Sequence, residues 1–78
     1  MSLIEVQKNK TAVIISFKVE NKNLLKRLYD IGLRMNGKIT VLKNAKNTCF
    51  LVEVGGRAIA ISRELASLIF VKVEDEVF

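Results

Sequence analysis

Residues 50–61 read Phe50-Leu51-Val52-Glu53-Val54-Gly55-Gly56-Arg57-Ala58-Ile59-Ala60-Ile61, and this stretch decides the fold. Before the Gly55-Gly56 pair, Phe50, Val52 and Val54 share one face opposite Leu51 and Glu53, and after it Ile59 and Ile61 alternate with Ala58 and Ala60, the period-2 pattern of strands. Two glycines between two such runs predict a two-residue hairpin loop, because the primed turns that match strand twist need positive φ. A loop of that length pairs 54 with 57, 52 with 59 and 50 with 61. Ile59 and Ile61 then fall opposite Val52 and Phe50 on one face, so the turn chemistry and the hydrophobic pattern select the same register.

The same alternation continues outward from the hairpin. Lys38 to Leu42 places Ile39 and Val41 on one face, after an Asn36-Gly37 turn whose residues tolerate positive φ. Past the hairpin, Ser62 is placed to cap a short helical turn over 63–68, and Ile69, Val71 and Val73 form a last strand. Between 21 and 32 the period changes. Leu24, Leu28 and Ile31 recur at spacings of four and three, Leu25 widens the stripe, and Lys22, Lys26, Arg27 and Asp30 take the wet side. This predicts an amphipathic helix over 22–31, capped by Asn21 or Asn23 and ended at Gly32 in the left-handed conformation. Nearer the N-terminus, Val13, Ile15, Phe17 and Val19 alternate with Ser16 and Lys18, which assigns them to the inner face and leaves Ile14 on an outer side that is partly covered. Ser2 with Glu5 three residues later has the form of a capping box for a very short turn.

The expected order is strand, helix, three strands, a short helical turn and a strand: a mainly β domain. Five short strands in so small a chain imply a barrel, which removes exposed sheet edges, although an open sheet carrying one helix meets the same pattern. The 78 residues make one domain over 1–78, with the acidic stretch 74–78 expected to fray.

Composition limits the chemistry. With no His, no Trp, no Pro and one Cys, the chain lacks the partners that nucleophilic and metal-assisted catalysis use, and a lone Cys makes no internal disulfide. An enzyme is therefore not expected, nor a cofactor or a resident metal. The opening MSLIEVQKNK is no secretory signal, and no run approaches the roughly 18 apolar residues of a membrane span. These features predict a cytoplasmic protein without direct membrane insertion. The net charge is +5, yet three of the eight acidic residues crowd into 74–76, so residues 1–73 carry +8. That surface attracts polyanions or an acidic partner patch, and equally it keeps the domain soluble.

Two segments carry a resemblance to a known family. Leu25-Lys26-Arg27-Leu28-Tyr29-Asp30-Ile31-Gly32-Leu33, followed by Ile39-Thr40-Val41, resembles the RL-x-D-(L/M)-G-(L/I) signature of the FeoA family, small cytosolic accessory proteins of bacterial ferrous-iron uptake. Gly56-Arg57-Ala58-Ile59-Ala60-Ile61-Ser62-Arg63-Glu64-Leu65-Ala66, followed by Ile69-Phe70-Val71, is similar to that family's closing motif. Where the family has Lys-Pro-Gly and Pro-Gly turns, this chain has Lys8-Asn9 and Met35-Asn36, and Asn is the residue that best replaces Gly at positive φ. The resemblance implies an SH3-like small β-barrel with an inserted helix. It also implies a role as a protein-binding module that docks on the cytosolic part of the FeoB transporter and assists its assembly or gating. The same fold forms the C-terminal accessory domain of DtxR-type metal-dependent repressors, so a stand-alone relative of that domain is the alternative partner class.

Each candidate site has a plain structural counterpart. Leu28 and Ile31 serve the core, and Gly32 stops the helix. Asp30 can bond backbone or pair with Lys26 or Arg34, and one carboxylate without a second acid or a His assembles no acid and base pair. Glu74, Asp75 and Glu76 collect divalent cations at best loosely, and a solvated tail is the simpler reading; Cys49 beside Phe50 reads as a small buried hydrophobe before a reactive thiol. The sharper candidate is the surface from Lys22 to Lys38. There Lys26, Arg27, Tyr29, Arg34 and Met35 combine cations with residue types enriched at protein interfaces, and Gly32, Asn36 and Gly37 shape the turn that follows, as Gly55 and Gly56 shape the hairpin. Nucleic-acid binding is the competing use of a small basic barrel, but it needs stacking aromatics on a strand face, and Phe17 and Phe50 both fall inward.

Overall fold

In the computed structural model, which describes residues 1–45 and 50–74, the hairpin forms in the expected register. Strand β3 (Phe50–Val54) pairs with β4 (Arg57–Ile61) through five successive positions from Phe50 opposite Ile61 to Val54 opposite Arg57. Gly55 and Gly56 have φ of 59° and 80°, the two left-handed residues of a type I′ turn. Around this hairpin the chain adds β1 (Thr11–Phe17), α1 (Lys22–Asp30), β2 (Lys38–Lys43), α2 (Arg63–Ala66) and β5 (Ile69–Val73), with a single 3-10 turn at Leu3–Glu5. The five strands form one antiparallel sheet in the order β4-β3-β2-β1-β5.

One face of that sheet supplies the core. Ala12 and Ile14 of β1, Ile39 and Val41 of β2, Phe50 and Val52 of β3, Ile61 of β4, and Ile69 and Val71 of β5 pack into one cluster with Leu3, Val6, Leu28, Leu33 and Ala66. Among the described residues no second sheet stands opposite, so five strands reach one cluster by curling around it, the SH3-like arrangement. Ladder irregularities at Ile14/Ser16 and Val41/Lys43 provide the bends this needs.

β1 corrects the face assignment made from alternation. Ala12 and Ile14 are buried, whereas Ile15, expected inside with Val13, is 46% exposed. Val13-Ile14-Ile15 are three β-branched residues in a row, so alternation alone does not choose a face. The pairing does: Ala12 lies opposite Ile39 and Val13 opposite Lys38. On the other side Ile14 faces Val71 while Ser16 faces Phe70, which leaves Ile15 as the extra residue of a bulge. The bulge resets the phase, and Phe17 opposite Ile69 packs against the core as expected.

Helix α1 is defined by its ends. The Asn21 side-chain oxygen accepts from the N–H groups of Asn23 and Leu24 at 2.9 and 3.2 Å, a complete N-cap. At the other end Gly32 has φ of 103°; its N–H donates to Tyr29, and the Leu33 N–H donates to Leu28 at 2.9 Å. These two bonds make a Schellman motif, and its apolar contact is supplied by Leu28 and Leu33, both buried. Leu25 and Ile31 pack against the core beside Leu28, while Leu24, assigned to the stripe, stays half-buried outside the cluster. The Ser62 hydroxyl accepts from the Leu65 N–H at 3.0 Å, and the helix it caps ends at Ala66, shorter than the expected 63–68. At the first turn the Ser2 N–H donates to the Glu5 carboxylate at 3.0 Å. Asn9 and Asn36 adopt φ of 69° and 66°, the positions where Asn stands for Gly.

Asn44 ties three segments together. Its amide donates to the carbonyls of Ile4 and Val6 at 3.0 and 2.8 Å, while its oxygen accepts from Arg63 at 2.8 Å. The Arg63 guanidinium also lies over the Phe50 ring, 5.9 Å from its centroid. The 3-10 turn, the end of β2 and α2 are thus held by one half-buried amide. Cys49 and the tail residues Asp75 to Phe78 lie outside the described residues.

Candidate functional site

The charged helix and the turn after it meet β1 at its bulge. Phe17 and Tyr29 stack edge to face, with ring centroids 5.9 Å apart and planes at 76°, so the outer flank of α1 is held against the end of β1. The turn is held to the same strand. Asn36 N–H donates to Ile14 at 2.8 Å, and Ile14 N–H donates to Gly37 at 2.9 Å. Because backbone on both sides of Ile15 is committed, its side chain projects from the bulge, next to the turn that carries Arg34 and Met35. Ile15, Tyr29 and Met35 are three of the four large apolar residues that remain exposed among the described residues, at 46, 36 and 46%. The three come from one strand, one helix and one turn that the Phe17–Tyr29 contact and the Ile14 backbone bonds tie to each other.

The cations distribute around this patch unequally. On an α-helix, residues two apart point about 200° away from each other, so Arg27 and Tyr29 do not share a face. Lys26 and Lys22, three and seven residues before Tyr29, do lie on its flank. Helix geometry thus puts Lys26 on the Tyr29 flank of α1 and Arg27 on the opposite one, while Arg34 and Met35 lie exposed in the turn that follows. Ile15 is the member sequence reasoning missed. The signal was present in the Val13-Ile14-Ile15 run, which is too apolar for a strand with one wet face. Asp30 forms no ion pair with the described residues; the pair among them is Lys38 with Glu74, at 3.7 Å between two exposed chains. Gly32 lies against the hairpin root, where a Cβ would stand 3.6 Å from Val54 and 3.7 Å from Arg57, so the end of α1 is fixed relative to β4.

A polar hollow of about 850 Å³ on the outer sheet face is lined by Lys10, Thr11, Lys38, Thr40, Glu53 and Glu74 among others, with the Thr11 and Thr40 hydroxyls bonded to each other at 2.9 Å. The two hydroxyls are engaged with each other, and neither is hydrogen-bonded to a carboxylate or an amine of the described residues. Among the described residues no three His, Cys, Asp or Glu side chains are close enough to hold a metal ion, and no helix is long and apolar enough to cross a membrane.

This fold and these motifs match the family model of the FeoA domain over residues 1–73. The chain belongs to the FeoA family. Among solved structures, the FeoA protein of Chlorobium tepidum superimposes with a TM-score of 0.83 at 27% identity, over 94% of this chain and 70% of that one. The zinc complex of Stenotrophomonas maltophilia FeoA, described as a prokaryotic SH3 domain protein and suggested to be a ferrous-iron transport activating factor, gives 0.79 at 22% identity over 92% and 89%. A manganese-dependent transcriptional repressor complexed with manganese gives 0.86 at 16% identity, over 95% of this chain and 36% of the repressor, a likeness of fold alone. No curated protein sequence matches significantly. FeoA domains are a non-enzymatic accessory family of ferrous-iron transport. In this FeoA domain, then, Leu28 and Gly32 of the signature build and stop α1.

Proposed function

We propose that this FeoA domain is a docking module of ferrous-iron uptake that binds the cytosolic part of a FeoB transporter and assists its assembly or gating, without catalysing a reaction itself. The observation that carries the reading is the patch of Ile15, Tyr29 and Met35, flanked by Lys26 and Arg34 and held in place by the Phe17–Tyr29 contact and the Ile14–Asn36 and Ile14–Gly37 bonds. An apolar centre with a cationic rim fits a partner surface that is apolar in the middle and acidic at its edge, and a pre-formed patch loses little ordering entropy on binding. The family supports the transport context, and the location it implies is the cytoplasm.

The test is retention of the transporter. The tagged domain, incubated with detergent-solubilised membranes from cells that express the ferrous-iron transporter, is expected to retain it on the resin. A transporter that passes through unretained at moderate salt contradicts the reading.

A further inference from the structure

The two edges of the sheet are treated differently. The edge of β5 is covered by the start of the chain: Val71 N–H donates to the Met1 carbonyl at 2.8 Å, and Ser2 bridges to Phe70. Among the described residues nothing pairs with the outer edge of β4. In a hairpin with a two-residue loop, the hydrogen-bonded pairs with β3 are Val54–Arg57, Val52–Ile59 and Phe50–Ile61, so the N–H and C=O groups of Ala58 and Ala60 point away from the sheet. Both alanines are exposed, and among the described residues no strand lies beyond them. The devices that usually protect such an edge are missing: β4 has no proline, its ladder to β3 has no bulge, and its single charge, Arg57, sits at one end.

We propose that β4 is a self-pairing edge, joining two copies of this domain antiparallel about a two-fold axis through Ile59. The segment is built for its own copy. Ala58-Ile59-Ala60 is symmetric about its centre, so an antiparallel partner sets Ala58 opposite Ala60 twice and Ile59 opposite Ile59 once. Ala58 and Ala60 are the residues whose backbone groups face outward, and each Ala58–Ala60 pairing exchanges two hydrogen bonds, which makes four in all. The methyl side chains impose no bulk between the two backbones. Ile59, half-buried and packed against the core, meets its counterpart on the inner face and extends the apolar contact. Charge settles the direction of the pairing. Antiparallel alignment puts Arg57 opposite Ile61 and separates the two Arg57 side chains by four strand positions, about 14 Å, beyond the roughly 8 Å screening length at physiological salt. A parallel partner would stack Arg57 on Arg57. The contact is isologous and closes at two copies, because each edge is used up by the other. It is independent of the docking patch, which lies on α1 and the β1 bulge.

Sedimentation of the intact protein as a function of concentration tests it. Four backbone bonds and a small apolar contact make a modest interface, so a reversible dimer is expected with a midpoint on the order of 0.1–1 mM. Replacing both alanines by lysine (Ala58→Lys with Ala60→Lys) brings like charges together in both symmetric pairs and is expected to leave a monomer throughout. Ala58→Glu with Ala60→Lys sets a carboxylate opposite an ammonium twice, and is expected to restore dimerisation to at least the wild-type level. Both variants change exposed outer positions, so their melting curves are expected to stay within about 5 °C of wild type. The proposal is overturned by a wild type that remains monomeric at 1 mM, by dimerisation that survives the double lysine change, or by a charge-swapped variant as monomeric as the double lysine one.

Discussion

Phe17 and Tyr29 meet edge to face at 5.9 Å, and this contact joins the only long helix among the described residues to the strand whose bulge exposes Ile15. It gives Tyr29 a structural role beside the docking role proposed for it, since the ring that is 36% exposed also packs α1 against β1. Tyr29→Ala is therefore expected to lower unfolding free energy by about 1–2 kcal/mol through lost aromatic contact and burial, while Tyr29→Phe keeps most of it. Met35→Ala and Arg34→Glu, exposed in the turn, are expected to change stability by no more than about 0.5 kcal/mol. Urea unfolding of the four variants separates the two kinds of residue.

Asn44 is expected to matter more for stability than any surface charge. Asn44→Ala strips donors from the Ile4 and Val6 carbonyls and the acceptor from Arg63 in one step. Partly buried groups left without partners predict a loss of about 1–3 kcal/mol. Lys38→Ala, which removes an exposed ion pair, is expected to cost less than about 1 kcal/mol. Equilibrium denaturation that ranks the two in the opposite order would show that the amide does not bind the three segments together.

Gly32 is constrained by conformation rather than by space. Its φ of 103° disfavours any L side chain, although a Cβ there would meet its neighbours only at ordinary contact distance. Gly32→Ala is expected to cost about 1–2 kcal/mol. Asn36→Gly, at φ of 66°, is expected to be close to neutral. Thermal melts of the pair check this.

Any affinity for nucleic acid is expected to be weak and salt-sensitive. Phe50 is fully buried and Phe17 packs against the core, so Tyr29, engaged with Phe17, is the main exposed ring for stacking and phosphate contacts by lysine and arginine supply most of the affinity. Such binding loses affinity steeply with salt and is indifferent to sequence, in the range of about 10⁻⁴ to 10⁻⁶ M near physiological ionic strength. Fluorescence anisotropy with two unrelated duplexes at two salt concentrations is the check; tight, sequence-selective binding would refute the expectation.

Legibility in the sequence followed physical redundancy. The Gly55-Gly56 hairpin was readable to the residue because the turn type and the side-chain period each specify the same register. Both ends of α1 were readable because Asn21 and Gly32 are chemically suited to the caps they form. β1 was not, because Val13, Ile14 and Ile15 are equally apolar and only pairing with β2 and β5 decides which of them faces inward. The candidate site inherits that asymmetry. Tyr29, Arg34 and Met35 stood out by type and position. The Val13-Ile14-Ile15 run signals one apolar residue too many for a strand with one wet face, and the bulge shows that it is Ile15. The separation of Arg27 from Tyr29 follows from helix geometry.

The most direct test is the affinity of the purified transporter's cytosolic region for the domain carrying Arg34→Glu with Met35→Ala, measured by calorimetry beside a melting curve. The account predicts an unchanged melting curve and a dissociation constant raised roughly ten- to a hundredfold, the loss expected when interface anchors worth about 1–3 kcal/mol are removed. Wild-type affinity in a variant that melts like the wild type would contradict it.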